Sequence, residues 1–124
     1  MAEFAVAATV FFMIFFALME IGMAVLTSDA LSEAAREATR YAMVHSSTSY
    51  DPATTAQIQQ VAVNAVSNLN LSTGDVVVSW PSDPNYTGKT DIQVVVSYSY
   101  PLHVPFVSSI TLPLSSTSRV LVAQ

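Results

Sequence analysis

The chain has 124 residues, four Lys or Arg against nine Asp or Glu, a formal net charge of −5 and no cysteine. The length suggests one domain. The thin basic complement argues against nucleic acid as a partner, and the lack of cysteine excludes disulfides and thiolate metal sites. Polarity comes mainly from hydroxyls, with serine and threonine together numbering 27, a surface suited to the outside of a cell.

Residues 4–44 are predicted to form a single helix. The stretch begins FAVAATVFFMIFFALM, with Thr9 as its one polar residue, and contains no proline. Gly22 is its sole glycine, which costs about 1 kcal/mol relative to alanine without breaking the turn. Residues 4–26 are apolar on every side, so they must be surrounded by lipid or by other protein. At 1.5 Å per residue they extend roughly 35 Å, enough to span a bilayer core of about 30 Å. A cleaved secretory signal would carry a basic start and a shorter apolar core. Here no Lys or Arg precedes Arg36, so the segment is expected to stay in place. No basic residue flanks it closely enough to fix its orientation.

Two acids interrupt this apolar run. Glu3 has an α-amino group as its one nearby cation. If that amine belongs to a neighbouring subunit, the ion pair sets how far one helix slides along the next. Alternatively Glu3 lies at headgroup level and complements the helix dipole. Glu20, near the far end, is expected to be solvated at the interface, with a hydrogen-bonded or protonated buried carboxyl as the other reading.

After Leu26 the pattern becomes one-sided. Ala30, Leu31, Ala34, Ala38, Tyr41 and Ala42 can line one stripe. Glu33 with Arg36, and Glu37 with Arg40, are i,i+3 pairs worth about 0.2–0.5 kcal/mol each. They form a solvated face or bridges between subunits. Residues 45–50 read as a loop. Asp51-Pro52 reads as the start of a second helix, whose apolar face is Ile58, Val61, Ala62, Ala65, Val66 and Leu69, with Gln57, Gln59, Gln60 and Asn64 outward. That helix is expected to end near Asn70.

From Asp75 the period falls to two. DVVVSW is a predicted strand, and PSDPNYTGK a loop turning at Gly88. IQVVVSYSY is a second strand, with Ile92, Val94, Val96, Tyr98 and Tyr100 on one face. It is expected to end at Pro101. Residues 106–110 read either as a short helix or as an irregular crossing. Residues 115–122 form a last strand with Val120 and Val122 inward. Helices followed by antiparallel strands imply an α+β domain whose sheet packs on the amphipathic half of the first helix.

No catalytic constellation emerges. His45 and His103 lack metal-ligand spacing, and a lone loop histidine such as His45 is expected to be solvated. No G-x-S-x-G elbow occurs, and three glycines cannot build a phosphate-cradling loop. Asn70-Leu71-Ser72 and Asn85-Tyr86-Thr87 fit the N-glycosylation sequon without further support. The expectation is therefore a protein that is not an enzyme and carries no cofactor or metal.

Several of these stretches together resemble a known family. Glu3-Phe4, the long apolar helix, Glu20-Ile21-Gly22 and Ala34-Ala35-Arg36-Glu37…Arg40-Tyr41-Ala42 are similar to the TadE-like branch of the type IV pilin superfamily. VVVSYSYPLHVPF and LSSTSRVLV resemble its closing strands. The family usually shows a short basic leader, which is not visible here, and a glutamate fifth in the mature chain where this sequence has Glu3; either two mature residues are missing from this sequence or processing differs. The sequence also has Thr9 near a common proline and Met23 in place of a common basic residue.

The resemblance implies a pilin-like fold with two parts. Residues 1–26 would be a membrane anchor before assembly and filament core afterwards, and residues 27–124 a soluble α+β domain. It implies a structural subunit of an extracellular Tad-type pilus, a helical homopolymer. Glu3 would pair with an amino terminus, while Phe4, Phe11, Phe12, Phe15, Phe16, Met19 and Gly22 pack the core. Glu20, Glu33, Arg36, Glu37 and Arg40 would serve as surface or inter-subunit charges. An inner-membrane assembly machinery and a prepilin peptidase are the implied partners. A minor pseudopilin that primes or tips another filament, or a bitopic anchor displaying a binding domain, would use the same sequence features.

Overall fold

The computed structural model describes residues 1–46, 49–81 and 91–122. The expected turn at Gly88 and the sequon at Asn85 lie outside the described residues. Helix α1 runs uninterrupted over Ala2–Val44. Its alanines, leucines and methionines favour the helix, and no proline opposes it. The end is closed by His45, whose backbone N–H donates to Tyr41 O at 3.0 Å. The His45 ring stacks on Tyr41 with centroids 4.2 Å apart. This residue, expected to be a solvated loop histidine, is instead half-buried and terminates the helix.

Helix α2 covers Thr55–Ala65, beginning later than Asp51-Pro52 suggested. The reason is a capping box. Thr54 N–H donates to Gln57 Oε1 at 2.8 Å, and Gln57 N–H donates back to Thr54 Oγ1 at 3.3 Å. Two free N–H groups are satisfied at once, which outweighs a proline start. The helix also ends earlier than expected. A 3-10 turn over Ser67–Leu69 follows, and Asn70 closes it in the left-handed region at φ 50°. Ile58, Ala62 and Val66 are buried as predicted, but Ala65 is exposed. Gln59 is not outward: its Nε2 donates to Val76 O at 2.8 Å and ties α2 to the first strand.

Strands β1 (Val76–Ser79), β2 (Asp91–Leu102) and β3 (Ile110–Leu121) form one antiparallel sheet in that order. This is the expected α+β arrangement, with β2 and β3 packed on α1 and α2 wedged against α1 and β1. The alternation in β2 is as read from the sequence, with Ile92, Val94 and Val96 fully buried. Pro101 does not end the strand. It pairs with Thr111, whereas β1 pairs only as far as Val96. One side of β2 is therefore open at Pro101, and a residue without an N–H is tolerated there. The hairpin lengthens β3 to Ile110 and leaves 103–109 as an irregular loop, with Phe106 at φ 66°.

The core places Leu31, Ala34, Ala35, Ala38 and Ala42 of α1 against Ile58, Val76, Ile92, Val94, Val96 and Val122. Val120 and Val122 face inward as predicted, yet the same face of β3 also carries Ser116 and Ser118. These meet hydroxyls of α1. Ser116 Oγ donates to Ser32 Oγ at 2.9 Å, and Ser118 Oγ lies 3.0 Å from Thr39 Oγ1. Part of the hydroxyl content thus forms a helix–sheet seam, where short paired side chains allow close approach.

Among the described residues the salt bridge is between buried Asp91 and Arg119, which reaches one carboxylate oxygen through both Nε (2.7 Å) and Nη2. The i,i+3 partners Glu33, Arg36, Glu37 and Arg40 are exposed and do not close ion pairs. At full solvation the Coulomb gain scarcely exceeds the entropy of holding two long side chains.

Candidate functional site

Among the described residues, the longest apolar stretch left uncovered by the rest of the molecule is the first half of α1. Its most apolar 18-residue window has none of its residues buried, and the helix is long and apolar enough to cross a membrane. Full burial against the rest of the chain starts at Ala24, with Thr27 and Leu31 following, while Glu20 and Ile21 just ahead of it already touch the β2–β3 hairpin. Before that point the backbone is satisfied within the helix. Thr9 Oγ1 donates to Ala5 O at 2.8 Å, and Thr27 Oγ1 to Met23 O at 2.9 Å. Neither hydroxyl would be stranded in hydrocarbon.

Apolar side chains cover every side of this half, but the aromatic rings do not. At about 100° per residue, Phe4, Phe11, Phe12, Phe15, Phe16, Met19 and Gly22 fall within one arc of about 140°. Phe11 and Phe15 stack at 6.4 Å, while Phe11–Phe12 and Phe15–Phe16 meet edge to face at 5.6 and 6.0 Å. A concavity floored by Ala7 and Ala8 opens between Phe4, Phe11 and Phe12. The buried positions Ala24, Leu31, Ala38 and Ala42 centre on another side of the same helix. The aromatic arc therefore points away from the domain. Gly22 has open space where a Cβ would stand and no positive φ, so nothing within the monomer demands a glycine there.

Glu3 stands exposed in the first turn, where the helix dipole favours negative charge. It makes no ion pair with the chain's own amino group. Glu20 is half-buried and accepts a hydrogen bond from Tyr100 Oη at 3.3 Å. This contact comes from the face of β2 that the alternation identified, but its partner is 80 positions away. Burial first, and then the Glu20 carboxylate, push the Tyr100 phenol above its ordinary value of 10.0. Glu33, Arg36, Glu37 and Arg40 lie on the exposed side of the docked half, which at about 100° per residue continues the side of the aromatic arc further along the helix. The residues the sequence reading missed are Tyr100, Ser116, Ser118 and the Asp91–Arg119 pair. Each is a cross-element contact. For the two serines the signal was present, because they share the period of Val120 and Val122.

The arrangement can bind apolar matter along a rod. Among the described residues no three His, Asp or Glu side chains gather as a metal site. Comparison with known proteins bears on the N-terminal third. No curated protein and no solved structure matches the chain. Residues 1–40 match the model of the family described as TadE-like protein, which supports a protein associated with a Tad pilus and anchored in a membrane through the apolar half of α1.

Proposed function

We propose that the chain is a pilin-like structural subunit that polymerises through the apolar half of α1 into an extracellular Tad-type filament. The observation that carries this reading is an unbroken helix whose first twenty-odd residues are bare while its continuation is sealed into a domain. The sidedness of the bare half supports it. Lipid tails surround a lone anchor uniformly, whereas a neighbouring helix gains van der Waals packing from one side with ridges and a hollow, such as that over Ala7 and Ala8. In the membrane the arc faces lipid, and in the filament it faces copies of itself. Because both surroundings are apolar, little hydrophobic free energy separates them. An inner-membrane assembly machinery would drive extraction, after a prepilin peptidase had matured the amino terminus. Glu3 would then meet that terminus on an adjacent subunit, fixing the axial step. The role is structural rather than catalytic and takes no cofactor.

The test is negative-stain imaging of purified and cell-surface material, with wild type compared to Glu3→Ala. The expected outcome is fibres from wild type and few or short fibres from the variant. A detergent-clothed monomer that never assembles would sink the reading. Immunogold label confined to fibre ends would reassign the chain to a minor, tip-located subunit.

A further inference from the structure

The hairpin joining β2 to β3 points back along α1 towards the membrane half. Ser118 contacts Thr39, Ser116 contacts Ser32, and Tyr100 contacts Glu20. Each step towards the hairpin's end therefore meets an earlier residue of the helix. Leu102, Leu112 and Leu114 share a groove with Ile21, Ala24, Val25 and Ser28, and the loop 103–109 continues beyond Leu102. A bilayer core of about 30 Å takes roughly 20 residues of helix. If it starts at Phe4, its outer boundary falls near Met23, the level of that groove.

The composition of the hairpin's end fits that level. Positions 92–118 contain no Asp, Glu, Lys or Arg. Phe106 is 89% exposed, and Val107, Ile110 and Leu112 are also open. A bulky residue held at φ 66° gains nothing from its own fold by pointing into water. Tyr100 reaches Glu20 at this same level, and tyrosine is a residue type that favours the headgroup zone. The groove also lies on the side of α1 away from the aromatic arc, so a helix packed on that arc leaves the loop uncovered.

We propose that loop 103–109 is a second membrane contact, seated in the headgroup–acyl boundary of a phospholipid bilayer with Phe106 as its wedge. Together with α1 it holds the unassembled subunit at two points, and so fixes which way the sheet domain faces above the membrane. This rests on the reading of residues 4–26 as a membrane anchor.

Because the chain has no cysteine, single-cysteine reporters are unambiguous. Ser108→Cys, Thr117→Cys and Phe11→Cys, each in the full chain, would carry an environment-sensitive fluorophore in phosphatidylcholine vesicles containing nitroxide-labelled lipid. Emission of the single tryptophan, Trp80, checks folding. The expected result is that the label at 108 is quenched several-fold more than at 117, with shallow nitroxides more effective than deep ones. Adding Phe106→Ser to the 108 reporter should remove most of that quenching. If 108 behaves like 117 while 11 is quenched, the loop is aqueous and the proposal fails, although the anchor stands. If 11 is not quenched either, the anchor reading has failed first. Shielding at 108 that disappears on dilution to one copy per vesicle would assign the loop to a second copy of the chain, and would also overturn the proposal.

Discussion

Residues 2–23 and 24–44 of α1 share one hydrogen-bond ladder but differ in what their side chains meet. In the docked half the fully buried positions are mostly alanine: Ala34, Ala35, Ala38 and Ala42, with Leu31 as the one large residue. In the bare half the large apolar side chains, including five phenylalanines, are all exposed. Small residues suit a helix laid closely on a sheet and on α2, where any added methyl would push elements apart. Large residues suit a helix that must fill the space between itself and something not yet present. A helix can thus be built the same way throughout and still divide its labour by side-chain size.

The largest effect should separate the halves outright. Leu31→Ala removes a side chain with no exposed surface and should destabilise the domain by about 2–5 kcal/mol. Phe15→Ala should leave domain stability unchanged while impairing fibre formation. Chemical denaturation in detergent followed by Trp80 emission, alongside imaging, reads both. Equal loss of stability in the two variants would break the comparison. Next comes Arg119→Ala, which takes a charge-assisted pair from buried Asp91 and should cost roughly 1.5–3 kcal/mol by the same assay.

Gly22→Ala lies at the boundary and should act in opposite directions. It should strengthen the isolated helix by about 1 kcal/mol, read as helicity in detergent, and weaken assembly if a neighbouring helix approaches there. Fibres of normal length from this variant would remove Gly22 from the packing surface. The smallest effect concerns Tyr100. Its raised pKa means that the folded state holds the phenolic proton more tightly than the unfolded chain does. The stability it contributes is present below the unfolded value of 10.0 and is lost as pH rises through the folded one. Tyr100→Phe should flatten that part of the pH–stability curve and leave the neutral range nearly unchanged.

The apolar run, the one-sided stripe after Leu26 and the alternation of β2 were all legible in the sequence because each reflects local periodicity. Element ends were less so. The start of α2 depended on the Thr54–Gln57 capping box, and the passage of β2 through Pro101 depended on β1 not reaching that far along it. Both are competitions between local signals, and neighbouring structure decides them. The glutamate at position 20 illustrates the limit. Its place at the end of the apolar run was plain, but its hydrogen bond to Tyr100 was not.

By itself the sequence determined that this chain contains a rod too apolar to stand in water and a small α+β domain, because burial period and composition are properties of consecutive residues. The tertiary structure alone decided which side of the rod the domain occupies, that the aromatic arc is left on the other side, and that the hairpin's apolar end falls at the level of Ile21–Val25. Those facts depend on strand register and on hydroxyl contacts between α1 and β3, which join residues some 80 positions apart. No local pattern encodes such distances.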